Sequence, residues 1–300
     1  FIRSFLGTHQ LSPEMITCIG SHGQTLWHIS GDSTLQIGEP AVISASLGIP
    51  VVSNFREHDI AVGGTGAPLI AFLDWLAYRN LPGHTVALNI GGIANVTCIS
   101  EGCAQEEVIG WDTGPGNMVV DTLIRQLTGG ADRYDSGGAV ALTGIVDPRL
   151  LAELMDDPFV QAPPPKSTGR EYYSEAFVRE HLHPERAQSP ATQSDLIATA
   201  SEWTVRAIAE NIDTHWKPAE DIDRVIVGGG GVHNRYFMQR LASHFGNADI
   251  SRCAEYGIPV DAKEAVGFAV LAYVSVQGIP ANMPGVTGAN RRTILGKLTV

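Results

Sequence analysis

The stretch VIGWDTGPGNMVVD, residues 108–121, decides how this chain is read. An apolar run (Val108, Ile109, Trp111) drops into Asp112, passes two glycines and a proline, and resumes as a second apolar segment. The pattern predicts a strand, a tight loop and a helix from about Asn117 to Leu127. A carboxylate at the carboxyl end of a strand is a common seat of chemistry in open α/β sheets. Glycine suits a loop that must approach a ligand closely. Asp112 capping the following helix, with Thr113 as helper, accounts for the same spacing.

The flanking sequence repeats the theme. HTVALNIGGIANVTCIS (84–100) predicts two strands joined at Gly91-Gly92. RVIVGGGGVHNRYFMQRLASHF (224–245) predicts a strand, four glycines and a helix. DLIATASEWTVRAIAENIDTHW (195–216) and DAKEAVGFAVLAYVSVQ (261–277) predict helices, the first amphipathic. Upstream, EMITCIGSHGQTLWH (14–28) reads as a short strand breaking into Gly20–Gly23. A second strand is predicted over 50–54, then a charged loop with Gly63, Gly64 and Gly66, then a helix with Leu69, Phe72, Leu73 and Leu76 on one stripe. Strands alternating with helices predict an α/β fold with largely parallel sheets. The order recurs after residue 84, as if one module followed another, with a hinge near Leu81–His84.

Three hundred residues suffice for two domains of ordinary size. With 44% hydrophobic and 17% charged residues, the composition is globular, and 33 glycines imply many tight turns. A formal charge of −12 argues against a nucleic-acid partner. Four cysteines without CxxC or metal-ligand spacing point to a reduced, cytoplasmic setting. No apolar run approaches eighteen residues, so no membrane span is expected. The opening FIRSFL carries no signal-peptide pattern and reads like a helix already under way.

Neither a G-x-x-x-x-G-K-[ST] loop nor a strand-borne G-x-G-x-x-G occurs, which excludes a P-loop and disfavours a Rossmann dinucleotide site. Three other glycine turns remain: NIGGIAN, DTGPGN and VGGGGVHN. Each alone is more often just a tight turn, but backbone N–H groups in such turns bind anions readily, and three together suggest a nucleotide.

Read in order, GSHGQT (20–25), NFREHDIAVGGTGAPL (54–69), LNIGGIAN (88–95), WDTGPGN (111–117), KSTGREYY (166–173), VGGGGVHN (227–234), EAVGFAVLA (264–272) and NMPGVTGA (282–289) resemble the anhydro-N-acetylmuramic acid kinase family from end to end. The resemblance implies a two-domain, actin-like ATPase (ribonuclease H-like) fold with a nucleotide cleft between domains. It implies a first α/β domain over 1–83, joined by the tail 279–300, and a second over 84–278. It further implies an ATP- and Mg²⁺-dependent sugar kinase of the cytoplasm, converting 1,6-anhydro-N-acetylmuramic acid and water to N-acetylmuramic acid 6-phosphate in cell-wall recycling. Family members tend to be homodimers.

By the family's pattern Asp112 is the general base that takes a proton from the attacking water, a task suited to a carboxylate ionised at neutral pH. Glu264, His22, Arg56 and Asp59 are expected at the sugar. Glu264 shares a helix face with Phe268 and Leu271, and a first-turn glutamate stabilised by the helix dipole fits equally. Arg56 with Asp59 also fits a structural ion pair. Gly91, Gly92, Asn95, Gly114, Asn117, Gly229, Gly230 and Asn234 are expected at the nucleotide. Lys166 and Arg170 are expected as further ATP- or sugar-side contacts, or as plain surface. The family's opening SGTSLDG-type hairpin, with its Mg²⁺-associated aspartate, has no counterpart here, so the first domain is expected to lack that hairpin and the metal ligands stay unassigned. A catalytically impaired sugar- or nucleotide-binding descendant is the competing reading.

Overall fold

The computed structural model describes residues 1–218 and 221–300. Among them the strands are β1 (Ile19–Ser21), β2 (Gln24–Ile29), β3 (Ser33–Ile37), β4 (Val51–Ser53), β5 (His84–Ile90), β6 (Ile93–Ser100), β7 (Ile109–Pro115), β8 (Arg224–Gly228), β9 (Asp249–Arg252) and β10 (Lys297–Thr299). The chain forms two compact α/β units: residues 1–77, 104–108 and 264–300, and residues 78–103 and 109–263.

The second unit is built on a five-stranded sheet in the order β7-β6-β5-β8-β9. β6 runs antiparallel to β5 and β7, while β5, β8 and β9 are mutually parallel. Gly91-Gly92 alone separates β5 from β6, the two-residue turn that the glycine pair predicts. The central strands are buried on both faces: Val86, Leu88, Ile90, Val96, Val225 and Val227 on one, and Thr85, Ala87, Thr97, Ile99 and Ile226 on the other. This is the composition of a sheet covered on both sides. The helix expected over 195–216 is Pro190–His215, started by Ser189 accepting from Thr192 N–H. It is no amphipathic surface helix. Nearly every residue from Leu196 to Ile212 is buried, because the helix packs between the sheet and the other helices of its unit, with Arg206 left exposed.

In the first unit β4 pairs in parallel with β1 and antiparallel with β10, so the chain's last strand completes its sheet. Asp59 fastens the same tail. Its Oδ1 accepts from Asn282 Nδ2 (3.1 Å) and Thr287 Oγ1 (2.8 Å), and its Oδ2 from Gly66 N–H (2.8 Å). The helix Lys263–Val276 begins at the boundary, with Glu264 onward in the first unit. A two-stranded hairpin, β2–β3, follows β1, where the sequence predicts only a strand breaking into Gly20–Gly23. Among the described residues no helix is long and apolar enough to cross a membrane, and none of the four cysteines forms a disulfide.

Candidate active site

Strand register gathers the second unit's polar residues at one edge of its sheet. Gly228 lies beside Asn89, Asn89 beside Asn95, and Asn95 beside Asp112. The last pair depends on a bulge. Ala94 faces Gly114 while Asn95 faces Asp112, so Thr113 is an extra residue on β7. Thr113 Oγ1 donates to Ala94 O at 3.2 Å, holding the bulge. Bulges re-aim neighbouring side chains and recur beside active sites.

The three glycine turns of this unit close on one another. Asn117 Nδ2 donates to Ile90 O (3.1 Å) and Gly91 O (3.0 Å). The N–H groups of Gly116, Asn117 and Met118 donate to Gly92 O, Gly91 O and Gly92 O at 2.8, 2.8 and 3.2 Å. The first N–H groups of the helix Asn117–Leu127 therefore cap the β5–β6 turn. A Cβ on Gly116 would fall 2.3 Å from Gly91 O, so glycine there is a packing requirement. At Gly229 the requirement is double: φ is +76° and a Cβ would lie 2.6 Å from Ile90 O. Gly114 is enclosed by Val160, Ala207 and Tyr173. Asn234 caps the helix Arg235–His244, accepting from Tyr236 and Phe237 N–H. By contrast, Gly92 and Gly230 are exposed and Gly91 half-exposed, and nothing lies within 3 Å of a Cβ at any of the three. These are the positions with room for a ligand against backbone.

Asp112 is only 6% exposed. Its carboxylate Oδ2 accepts from Ser167 Oγ and from Thr168 N–H, both at 2.9 Å, while its own N–H donates to Lys166 O at 3.1 Å. The KSTGRE and WDTGPGN motifs are thus one physical feature. Lys166 is buried, and its Nζ donates to Phe159 O (2.8 Å) and Val160 O (2.9 Å) while lying over the Phe159 ring. Burial lowers its pKa to about 8, against the pull of Asp112 and Asp157. Ser167 and Thr168 carry no local signal of this role beyond lying in the KSTGRE segment. Arg170 is exposed. Among the described residues, no three His, Cys, Asp or Glu side chains gather as a metal site.

In the first unit, His22 lies flat on Phe268 (ring centroids 4.2 Å apart, 9° between planes) with Nε2 3.2 Å from Arg56 Nη2. Arg56 Nη1 also donates to Gly66 O at 2.7 Å. Arg56 and Asp59 therefore grip Gly66 from its two sides, and Asp59 is fully buried with both oxygens bonded. Glu264 is exposed in the first turn of its helix, where solvent stabilises its charge.

A sequence model of the anhydro-N-acetylmuramic acid kinase family matches residues 1–300. The anhydro-N-acetylmuramic acid kinase of Caldanaerobacter subterraneus subsp. tengcongensis is 39% identical, over 97% of this chain and 75% of its own length. That of Pasteurella multocida is 41% identical, over 99% of this chain and 77% of its own. Among solved structures, the activator of 2-hydroxyisocaproyl-CoA dehydratase from Clostridium difficile matches at 14% identity and TM-score 0.40, over 76% of this chain and 68% of that one. That likeness is too loose to argue from.

Proposed function

Because the chain belongs to the anhydro-N-acetylmuramic acid kinase family, a family of ATP-using sugar kinases of peptidoglycan recycling, we propose that Asp112 is its general base and the edge of the β5–β8 sheet its phosphate-transfer site. Water gives a proton to Asp112 as it attacks the anomeric carbon. The 1,6-anhydro bridge opens, and the freed 6-oxygen attacks the γ-phosphate of ATP, giving N-acetylmuramic acid 6-phosphate and ADP. Such a transfer depends on positioning and on neutralising phosphate charge. The observation that carries the reading is the register row Gly228–Asn89–Asn95–Asp112, which sets a clamped carboxylate beside three interlocked glycine turns.

Within that reading Gly91, Gly92 and Gly230 face the nucleotide, Gly229, Gly114, Asn117 and Asn234 hold the turns in shape, and Asn95 flanks the base. Arg56 and His22 meet the sugar with Glu264, while Asp59 acts at one remove through Gly66. The described residues form no metal cluster of their own, so Mg²⁺ is proposed only as the companion of the ATP phosphates. The cytoplasm, where sugar and ATP meet, suits four cysteines that form no disulfide among the described residues.

The test is ADP release with 1,6-anhydro-N-acetylmuramic acid, compared with N-acetylmuramic acid and N-acetylglucosamine. Turnover on the unbridged sugars alone rejects the hydrolytic step. Asp112→Asn should lower kcat at least about a hundredfold, with sugar binding intact by calorimetry.

We also propose that two copies associate through the hairpin β2–β3. Trp27 pairs with Leu35, and alternation puts Ile29 and Ile37 on the same face, which is 45–57% exposed at these four residues. The opposite face is polar and half-buried, with His28, Gln36 and Thr25 bonded through Thr34 and one another. The apolar side of this hairpin is the outward one.

A further inference from the structure

We infer that Ser167 is a positioning residue for the phosphate-transfer reaction, fixing the orientation of the Asp112 carboxylate that takes the proton. The inference rests on Asp112 being the base. A carboxylate oxygen has two lone-pair sites, and the two on Oδ2 are met by Ser167 O–H and Thr168 N–H at 2.9 Å each. Both donors favour the ionised form of the group they hold.

The clamp is itself held from the far side. Lys166 Nζ donates to Val160 O, Val160 O also accepts from Asn211 Nδ2 (3.1 Å), and Asn211 Oδ1 accepts from Trp111 Nε1 (3.2 Å). Trp111 precedes Asp112, so the hydrogen bonds run from the base through the clamp and the buried helix back to the base's own strand. A base and its clamp located by one buried scaffold keep their geometry through turnover. The charged and titratable groups around Asp112 are Lys166 behind the clamp and Asp157, bonded by the hydroxyls of Tyr172 and Tyr173. Tyr173 itself feels the charge of Asp112, and His215 stands edge-on to the neighbouring Trp111. None of these changes when Ser167 loses its hydroxyl.

The experiment compares Ser167→Ala, Ser167→Thr and Asp112→Asn on the anhydro sugar, as kcat and KM across pH 4–9. Ser167→Ala should lower kcat about tenfold, keep KM within about twofold, and move the acid limb of the kcat profile to higher pH, because the ionised carboxylate loses a charge-assisted donor. Ser167→Thr should restore both rate and limb. A purely structural serine would lower activity with the limb in place, or lower the thermal midpoint alone; either result overturns the inference, as does failure of the threonine to rescue. Should Ser167→Ala not fold, Ser167→Cys, with its weaker donor, gives the same reading through an intermediate limb. An inactive Asp112→Asn beside an unshifted Ser167→Ala sinks the positioning role alone, whereas near-normal turnover of Asp112→Asn sinks the base assignment with it.

Discussion

His22 shows how one residue's bonding fixes its chemistry. A guanidinium only donates, so Nε2 facing Arg56 must accept and Nδ1 must carry the proton, buried and without a protein partner among the described residues. Burial, then the charges of Arg56 and His28, bring its pKa down to about 4. In the unfolded chain it titrates near 6.5. Between those two values the unfolded state binds a proton that the folded state refuses. The neutral ring's contribution to stability is therefore fully present above pH 6.5 and is lost as pH falls toward 4, by about 3 kcal/mol at most. Glutamine retains an acceptor for Arg56 and cannot titrate. Denaturant unfolding of His22→Gln should show a shallower loss of stability between pH 6.5 and 4 than the parent chain. Parallel curves would mean that the ring is protonated in the folded protein.

At the level of elements, the stability of the second unit depends on the β5–β6 turn sitting against the helix Asn117–Leu127. Asn117→Ala strands the carbonyls of Ile90 and Gly91 without their side-chain donor, a loss of about 1–3 kcal/mol read as a lower urea midpoint. Gly116→Ala should cost more, because its methyl would meet backbone, Gly91 O, and not the end of a flexible side chain. A thermal midpoint for Gly116→Ala equal to the parent's would show that the two turns can move apart. The helix itself was legible: the structure gives Asn117–Leu127, as the apolar spacing after DTGPGN predicts. So was the two-residue turn at Gly91-Gly92. The grip of one on the other was not. It is a set of hydrogen bonds between residues about 26 apart in sequence, and local periodicity carries no trace of such pairings. The Thr113 bulge was hidden for the same reason, since it exists only relative to β6. The buried helix misread as amphipathic shows the limit of the same signal, because Thr199, Ser201, Glu202 and Thr204 are polar by type yet buried. Glu202 is tolerated there through Arg240 (2.7 Å, bidentate) and Tyr236 (2.9 Å).

For the whole molecule, the motif series carried the family, while the hairpin β2–β3 went unseen because its pattern is inverted. Trp27, Ile29, Leu35 and Ile37 alternate as a strand should, yet the apolar set faces out and His28 and Thr34 face in. Alternation gives the period and not which face the body covers. The outward side, with Leu26 at its bulge, presents apolar side chains that are 45–59% exposed. Charge selects a second copy over an oppositely charged partner. The chain carries −12, but the segment 24–38 holds one charged residue, Asp32 at the hairpin tip, so this is a face on which like-charged copies can meet without repulsion. Light scattering on an eluting peak at tens of micromolar should return the mass of two chains. Trp27→Glu places a carboxylate at the centre of the patch, where pairing would desolvate it against its own symmetry mate. The variant should elute at the mass of one chain with unchanged far-ultraviolet circular dichroism. A parent chain that is already a monomer, or a Trp27→Glu variant that stays paired, removes this face from the interface.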